Sequence, residues 1–306
     1  MILTIDVGNT NVVLGCVENG AVVSRSRLAT NTSDLPNDYV LKMRQSFALD
    51  GVDYTHFEGA IMASVVPQVN RAIRSAVRKL TGLECMIVGA GIKTGVNVKI
   101  DDPGTLAGDL ITGAVGAVSL YEPPIIIVDM GTATTIVAID KDGAYIGGAI
   151  APGVNLSFEA LSQGTSLLPN ISIEAPKKCI ATNTVDSMKS GAVFGTAAMI
   201  DGMIDRMEDE LGQTATIVAT GGLSGGIIPY CRHEIHHEPD LLLKGLAILY
   251  QKNAKQKKKY RKGLPKGRPF RCFIRRALCR VSPRRSRACP RGQAGQRIQW
   301  SFQHRF

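Results

Sequence analysis

Ile2-Leu3-Thr4-Ile5-Asp6-Val7-Gly8-Asn9-Thr10-Asn11 is an apolar run that closes on a carboxylate, a glycine and three hydrogen-bonding side chains. It comes back as Ile125-Ile126-Ile127-Val128-Asp129-Met130-Gly131-Thr132-Ala133-Thr134-Thr135. A shift of 123 residues superposes Asp6 on Asp129, Gly8 on Gly131, Asn19 on Asp142, Gly20 on Gly143 and Ala21 on Ala144. Strand, Asp-x-Gly turn, strand and X-Gly turn match in register, so two copies of one α/β unit are implied.

Around the first copy, 12–17 and 21–28 read as strands joined by the hairpin signal Asn19-Gly20. A strand-like 60–65 precedes a helix over 67–80, whose Val69, Ala72, Ile73, Ala76, Val77 and Leu80 fall on one stripe. A further helix starts at about Gly108 and is stopped by Pro123-Pro124, which puts the boundary between the copies there. In the second copy, 125–129 and 134–139 read as strands with a hairpin turn at Asp142-Gly143. One long helix from about Thr184 to Leu211, a strand over 216–219 and a last helix from about Asp240 to Gln251 follow. Met188, Met199, Met203 and Met207 on the long helix read as core or interface filler.

The chain has 36 Lys and Arg against 26 Asp and Glu, a net charge of +10. From Lys252 onward there are 19 basic residues and no acidic one, which leaves 17 basic and 26 acidic residues in 1–251, a net −9. The basic character therefore belongs to 252–306, a segment rich in Arg, Cys, Pro and Gly without apolar periodicity. It reads as a disordered tail that does not fold alone and that the body does not need. Its composition is that of GC-rich DNA read in a wrong frame; the competing reading is a nucleic-acid-binding arm. No apolar run approaches the ~18 residues needed to span a bilayer, and no basic leader precedes the first strand, so a cytoplasmic protein without a membrane partner is expected. Cys16, Cys85, Cys179 and Cys231 lie far apart in sequence, and none of the 7 cysteines forms a C-x-x-C pair, so reduced thiols are expected.

The two Asp-x-Gly turns carry the chemistry. Either alone is ordinary turn composition. Presented by two pseudo-symmetric units, they can clamp a polyphosphate while the carboxylates hold a hydrated cation. A third turn, Thr220-Gly221-Gly222-Leu223-Ser224-Gly225-Gly226, would let a nucleoside lie against bare backbone. Asp109 falls at the start of the helix after Gly108, where the helix dipole favours an ionised carboxylate able to accept a hydroxyl proton. His233, His236 and His237 lack the spacing of a metal motif and read as a solvated loop.

Together these residues resemble the acetate and sugar kinase, heat-shock protein and actin superfamily. Within it, the chain is most similar to the type III pantothenate kinases, also called the Bvg accessory factor family. The likeness covers 1–251: Asp-Val-Gly-Asn-Thr-Asn at 6–11, Ser64-Val65-Val66-Pro67, Asp102-Pro103 with Gly108-Asp109, and Asp129-x-Gly131-Thr132-Ala133-Thr134-Thr135. It continues through Gly147-Gly148-x-Ile150-x-Pro152-Gly153, Ser187-Met188-x-Ser190-Gly191 and Thr220-Gly221-Gly222. The resemblance implies two tandem ribonuclease-H-like (actin-like ATPase) domains with mixed sheets, 1–120 and 121–251, ahead of the basic tail.

It also implies ATP-dependent phosphorylation of pantothenate to 4'-phosphopantothenate, the first step of coenzyme A synthesis, in a homodimer with the substrate site at its interface. By motif position Asp109 would be the catalytic base. Asp6, Val7, Gly8, Asn9, Thr10, Asn11, Val12, Val13 and Thr132 would bind ATP, which brings Mg2+. Ala107, Gly108, Asp109 and Leu110, with Thr184 from the partner subunit, would bind pantothenate. Asp129 would hold a monovalent cation, K+ or NH4+. Two positions depart from the family pattern: Leu110 stands where an arginine is usual, and Ile100 where a tyrosine is usual. The rival readings are a superfamily kinase or phosphohydrolase with another acceptor, and a regulatory protein that binds nucleic acid through the tail.

Overall fold

A computed structural model describes residues 1–262 of the chain, with side chains as far as residue 254. Expectations that fall on 263–306, disorder and dispensability among them, lie outside the described residues. Residues 1–259 form one compact unit.

The first copy contains β1 (Ile2–Val7), β2 (Asn11–Glu18), β3 (Ala21–Ala29), α1 (Pro36–Leu49), β4 (Gly59–Ser64), α2 (Pro67–Thr81), β5 (Cys85–Ile87) and α3 (Gly108–Leu120). The second contains β6 (Ile125–Met130), β7 (Ala133–Ile139), β8 (Tyr145–Pro152), α4 (Val154–Gly164), α5 (Thr184–Ser190), α6 (Thr196–Leu211), β9 (Thr216–Thr220), α7 (Ser224–Ile227), β10 (His236–His237) and α8 (Leu241–Lys262). Two mixed five-stranded sheets result, ordered β3-β2-β1-β4-β5 and β8-β7-β6-β9-β10. In each, the hairpin strands pair antiparallel and the last two strands parallel. The repeat seen in sequence is thus a repeat of topology.

Strand alternation divides each sheet into two faces. Leu3, Ile5 and Val7 of β1 join Tyr39, Met43 and Phe47 of α1 and Val69, Ile73 and Val77 of α2 in one core. Ile126, Val128 and Met130 of β6 pack with Ala197, Ile200 and Ile204 of α6 in another. The remaining faces share a third core: Ile2, Ile61 and Ala63 from one sheet, Ile125, Ile127, Val137 and Ile139 from the other, with Ala114, Val115 and Ala117 of α3 and Leu241, Leu246 and Leu249 of α8. By the same alternation Asp6 falls on the face of Ile2, and Asp129 on the face of Ile125 and Ile127. Both carboxylates therefore stand at the ends of their strands on the faces that share this third core.

Several elements differ from expectation. The single helix over 184–211 is instead α5, a π-helical turn Gly191–Gly195, and α6; glycine at both ends of the turn weakens the helix there. The hairpin at Asn19-Gly20 is the expected two-residue turn, with both residues at positive φ. The one at Asp142-Gly143 is wider, because Asp140 accepts the amides of Asp142 (3.0 Å) and Ala144 (2.8 Å) and organises the turn from its side chain. The last helix runs to Lys262 rather than ending at Gln251, and its Asn253 exchanges hydrogen bonds with the backbone of Lys93, both at 3.0 Å. Two residues of the supposed tail, Lys252 (Nζ to the Thr94 carbonyl, 2.9 Å) and Asn253, are thus bonded to the body.

The three histidines do not form a single solvated loop, although His236 and His237 are exposed. His233 is held between Asp201 (2.9 Å) and Asp205 (3.0 Å), while His236 and His237 form β10 beside β9. The hydrogen bond that the His233 ring donates to Asp201 raises the His233 pKa; burial opposes ionisation of Asp201, but His233 and the amides of Arg232 and His233 outweigh it and lower its value. Cys16, Cys85, Cys179 and Cys231 are free.

The crossing of α3 and α8 depends on a missing side chain. A Cβ at Gly245 would lie 2.2 Å from the carbonyl oxygen of Thr112, and one at Gly116 would lie 2.7 Å from that of Leu241. Backbone cannot yield as a side chain can. Gly245→Ala is therefore expected to cost about 1–3 kcal/mol of stability, read as a lower urea midpoint with an unchanged slope.

Candidate active site

A cleft of about 630 Å³ opens where the two Asp-x-Gly turns face each other. In the first turn the Gly8 amide donates to the Asn11 carbonyl (2.9 Å), while the Thr30 hydroxyl and amide donate to the carbonyls of Gly8 (2.7 Å) and Thr10 (2.9 Å). In the second, the Gly131 amide donates to the Ala133 carbonyl (3.0 Å), and the Gly153 amide to the Thr132 carbonyl (3.1 Å). The Thr10 and Thr132 hydroxyls meet at 3.0 Å and join the turns of the two copies directly. The third turn closes against them: a Cβ at Gly221, whose φ is +94°, would lie 2.5 Å from the Met130 amide nitrogen. Only glycine permits that approach.

Three carboxylates converge here. Asp6 ends β1, Asp129 ends β6, and Asp109 occupies the first turn of α3, where one of its oxygens accepts the Leu110 amide (2.8 Å). Burial, then the charges of Asp129 and Asp109, push the Asp6 pKa up to about 7. Burial, then Asp109, push Asp129 up to about 6. Like charges gathered in a half-buried cleft call for a cation. Among the described residues no three His, Cys, Asp or Glu side chains stand close enough to enclose an ion. The donor set fits a hard cation that keeps water or phosphate oxygens among its ligands.

A family model for type III pantothenate kinases matches residues 2–206. The chain is 40% identical over 253 residues to the type III pantothenate kinase of Halalkalibacterium halodurans, covering 83% of this chain and 100% of that one. The enzyme of Geotalea uraniireducens is also 40% identical over 253 residues, 83% of this chain and 99% of its own. The chain belongs to the type III pantothenate kinase family. Among solved structures, a Campylobacter jejuni protein with a provisional Baf family transcriptional-activator assignment superposes with a TM-score of 0.51 at 18% identity, covering 83% of this chain and 99% of its own. A Sinorhizobium meliloti protein with a provisional 2-dehydro-3-deoxygalactonokinase assignment gives 0.50 at 12%, covering 89% and 99%. At these identities the likeness speaks for the fold alone. That fold is a pair of mixed five-stranded sheets in an α/β arrangement.

Of the site residues expected from sequence, the pantothenate kinase cleft gathers Asp6, Gly8, Asn9, Thr10, Asn11, Val13, Asp109, Asp129 and Thr132. Val7 and Val12 turn into the core, so their part in a site is limited to their backbone. Ala107, Gly108 and Leu110 do not line the cleft; Leu110 packs against the third core. Thr184, first residue of α5, is exposed and also stands apart from the cleft lining. Sequence reasoning missed Arg25, Arg27, Asn155, Glu159 and His237, all of which line the cleft. His237 and Ser224 meet at 2.9 Å on its wall. The signal for the arginines was present, since Arg25-x-Arg27 puts two cations on one face of a strand in an acidic body.

The carboxylates make the site a source of instability in the ligand-free kinase. A carboxyl whose folded pKa is raised stabilises the fold fully below its unfolded value, and that contribution is lost as pH rises through the folded value. Between pH 4 and pH 7, bounded by the ordinary 3.8 and the raised value of about 7 for Asp6, stability is expected to fall. Asp6→Asn should therefore raise the melting temperature at pH 8 and leave it near wild type at pH 4, as measured by differential scanning calorimetry without nucleotide.

Proposed function

We propose that the cleft holds ATP with its phosphates along the turns 8–11 and 131–133 and its nucleoside end toward Gly221–Gly225, and that Asp109 serves as the base. The reaction follows from the family: ATP-dependent phosphorylation of pantothenate in coenzyme A synthesis. The primary hydroxyl oxygen of pantothenate attacks the γ-phosphorus as the bond to the β–γ bridging oxygen breaks. ADP leaves with that electron pair, and the hydroxyl proton passes to Asp109. The observation that carries this reading is the position of Asp109. It sits at the N-terminus of α3, one oxygen occupied by the Leu110 amide and the other left for a hydroxyl, facing the two joined phosphate turns. Positioning and charge neutralisation supply most of the rate in such a transfer.

Mg2+ accompanies ATP in this family, and a bound cation would offset phosphate charge. We assign the monovalent ion to Asp129, whose carboxylate is raised by burial and by Asp109 and would be ionised by a neighbouring cation. The domain division at about residue 120 follows the repeat, each half supplying one phosphate turn. A homodimer is supported by the exposed apolar residues Ile150 (75%), Leu167 (91%) and Ile180 (86%), which precede the exposed Thr184 in sequence. We read Thr184 as reaching the acceptor held by a second subunit. No described helix is long and apolar enough to cross a membrane; with substrates that are water-soluble metabolites, we place the enzyme in the cytoplasm.

In an assay that couples ADP release to pantothenate, Asp109→Asn should lower kcat by about 10²–10⁴-fold while ATP still binds near wild-type affinity. An active Asp109→Asn enzyme would remove the base assignment. Replacing K+ by Na+ should lower turnover in the wild type, and Asp129→Asn should erase the difference between the two ions.

A further inference from the structure

Arg27 is a cation in the cleft that has no partner among the described residues. It projects from the exposed face of β3 directly opposite Val13 of β2, two residues beyond Asn11 in the first phosphate turn, which is roughly 7 Å along the strand. Its neighbour on the same face, Arg25, is tied to Asp240 at 3.1 Å. Arg27 has no hydrogen bond or ion pair among the described residues, although Asp6, Asp109, Asp129 and Glu159 line the same cleft.

The direction of the guanidinium is informative. A Cβ placed on Gly222 would lie 3.2 Å from Nη1, 3.5 Å from Nη2 and 3.7 Å from Cζ of Arg27. Both nitrogens are nearer than the carbon, so the forked edge, not the flat face, is turned to the third glycine turn. That turn abuts the second phosphate turn at Gly221 and Met130. Arg27 thus reaches from the first sheet across to a turn of the second, and offers two unmet N–H donors in the geometry that fits a phosphate bidentately. A role in stacking on a base would present the face instead.

We infer that Arg27 binds a phosphate of the nucleotide that is not transferred, the α- or β-phosphate that stays in ADP. The inference rests on the placement of ATP proposed above. Asp109 marks the γ-phosphate end, and Arg27 lies beyond the first phosphate turn toward the nucleoside end. Because it is unpaired, it contributes its charge without first breaking an ion pair, which Arg25 would have to do. In a body whose net charge is −9, such a cation also counters the repulsion between the cleft and an incoming polyphosphate.

The test is calorimetric titration of the full chain with ATP and ADP, and ligand-observed NMR with adenosine, for wild type, Arg27→Gln and Arg27→Lys. Arg71→Gln, an equal change of charge on the exposed face of α2, serves as control. Arg27→Gln should weaken ATP and ADP alike by about tenfold to a hundredfold, with adenosine unchanged, and should flatten the salt dependence of ADP binding. Arg27→Lys should recover part of the loss, since it restores charge but not the fork. Unchanged ADP affinity in Arg27→Gln would overturn the inference, as would an equal loss for adenosine, which would mean stacking on the base. Thr10→Ala and Asn11→Ala separate this failure from that of the site itself. If they weaken ADP and Arg27→Gln does not, the cleft stands and the role of Arg27 falls. If none of the three weakens it, the nucleotide lies elsewhere and both fall.

Discussion

Mutual repulsion among Asp6, Asp109 and Asp129 is the interaction around which this protein is arranged. Among the described residues no cation pairs with any of the three, and burial first, then their mutual repulsion, gives Asp6 and Asp129 a preference for the proton. The fold can tolerate them because each sits at the end of an element rather than within one. Two are at the ends of β1 and β6, and the third is at the positive end of α3. A cation and a polyphosphate supply the missing counter-charges and hydrogen bonds together, so the substrate complex is electrostatically more complete than the free enzyme.

The rigid support for that arrangement is the core shared by both sheets with α3 and α8. Its side chains are almost all aliphatic, and the two helices approach at Gly116 and Gly245 closely enough for backbone to meet backbone. Such packing transmits position faithfully. The N-terminus of α3, and Asp109 with it, is placed by contacts along the whole helix. The hydroxyl contact between Thr10 and Thr132 then ties the mouth of the cleft where the core no longer reaches.

Much of this was legible in sequence for a physical reason: the repeat writes each phosphate turn twice, and duplication turns ordinary turn composition into a specific signal. β1, β2, β3, β4, α2 and α3 were legible because period-two and period-3.6 patterns are local. α1 was not read, although Tyr39, Met43 and Phe47 fall on one stripe, because its polar residues dilute the pattern. The break between α5 and α6 was missed because Gly191 and Gly195 cost a helix little enough that a strong apolar stripe conceals them. His233 was misread because its partners, Asp201 and Asp205, lie some thirty residues away and belong to another element.

The sequence by itself determined that there are two copies of one α/β unit, that each presents an aspartate beside a glycine turn, and that the excess positive charge is confined to the C-terminal segment. These are properties of pattern and composition, which need no knowledge of what touches what. Only the tertiary structure decided that Asp6 and Asp129 face one another across the same cleft as Asp109. Only it could show that Val7 and Val12 turn away, and that Arg27 turns its fork toward Gly222 with no partner among the described residues. Those facts depend on how faces of distant elements are brought together, and strand alternation fixes a residue's face without saying what lies opposite it.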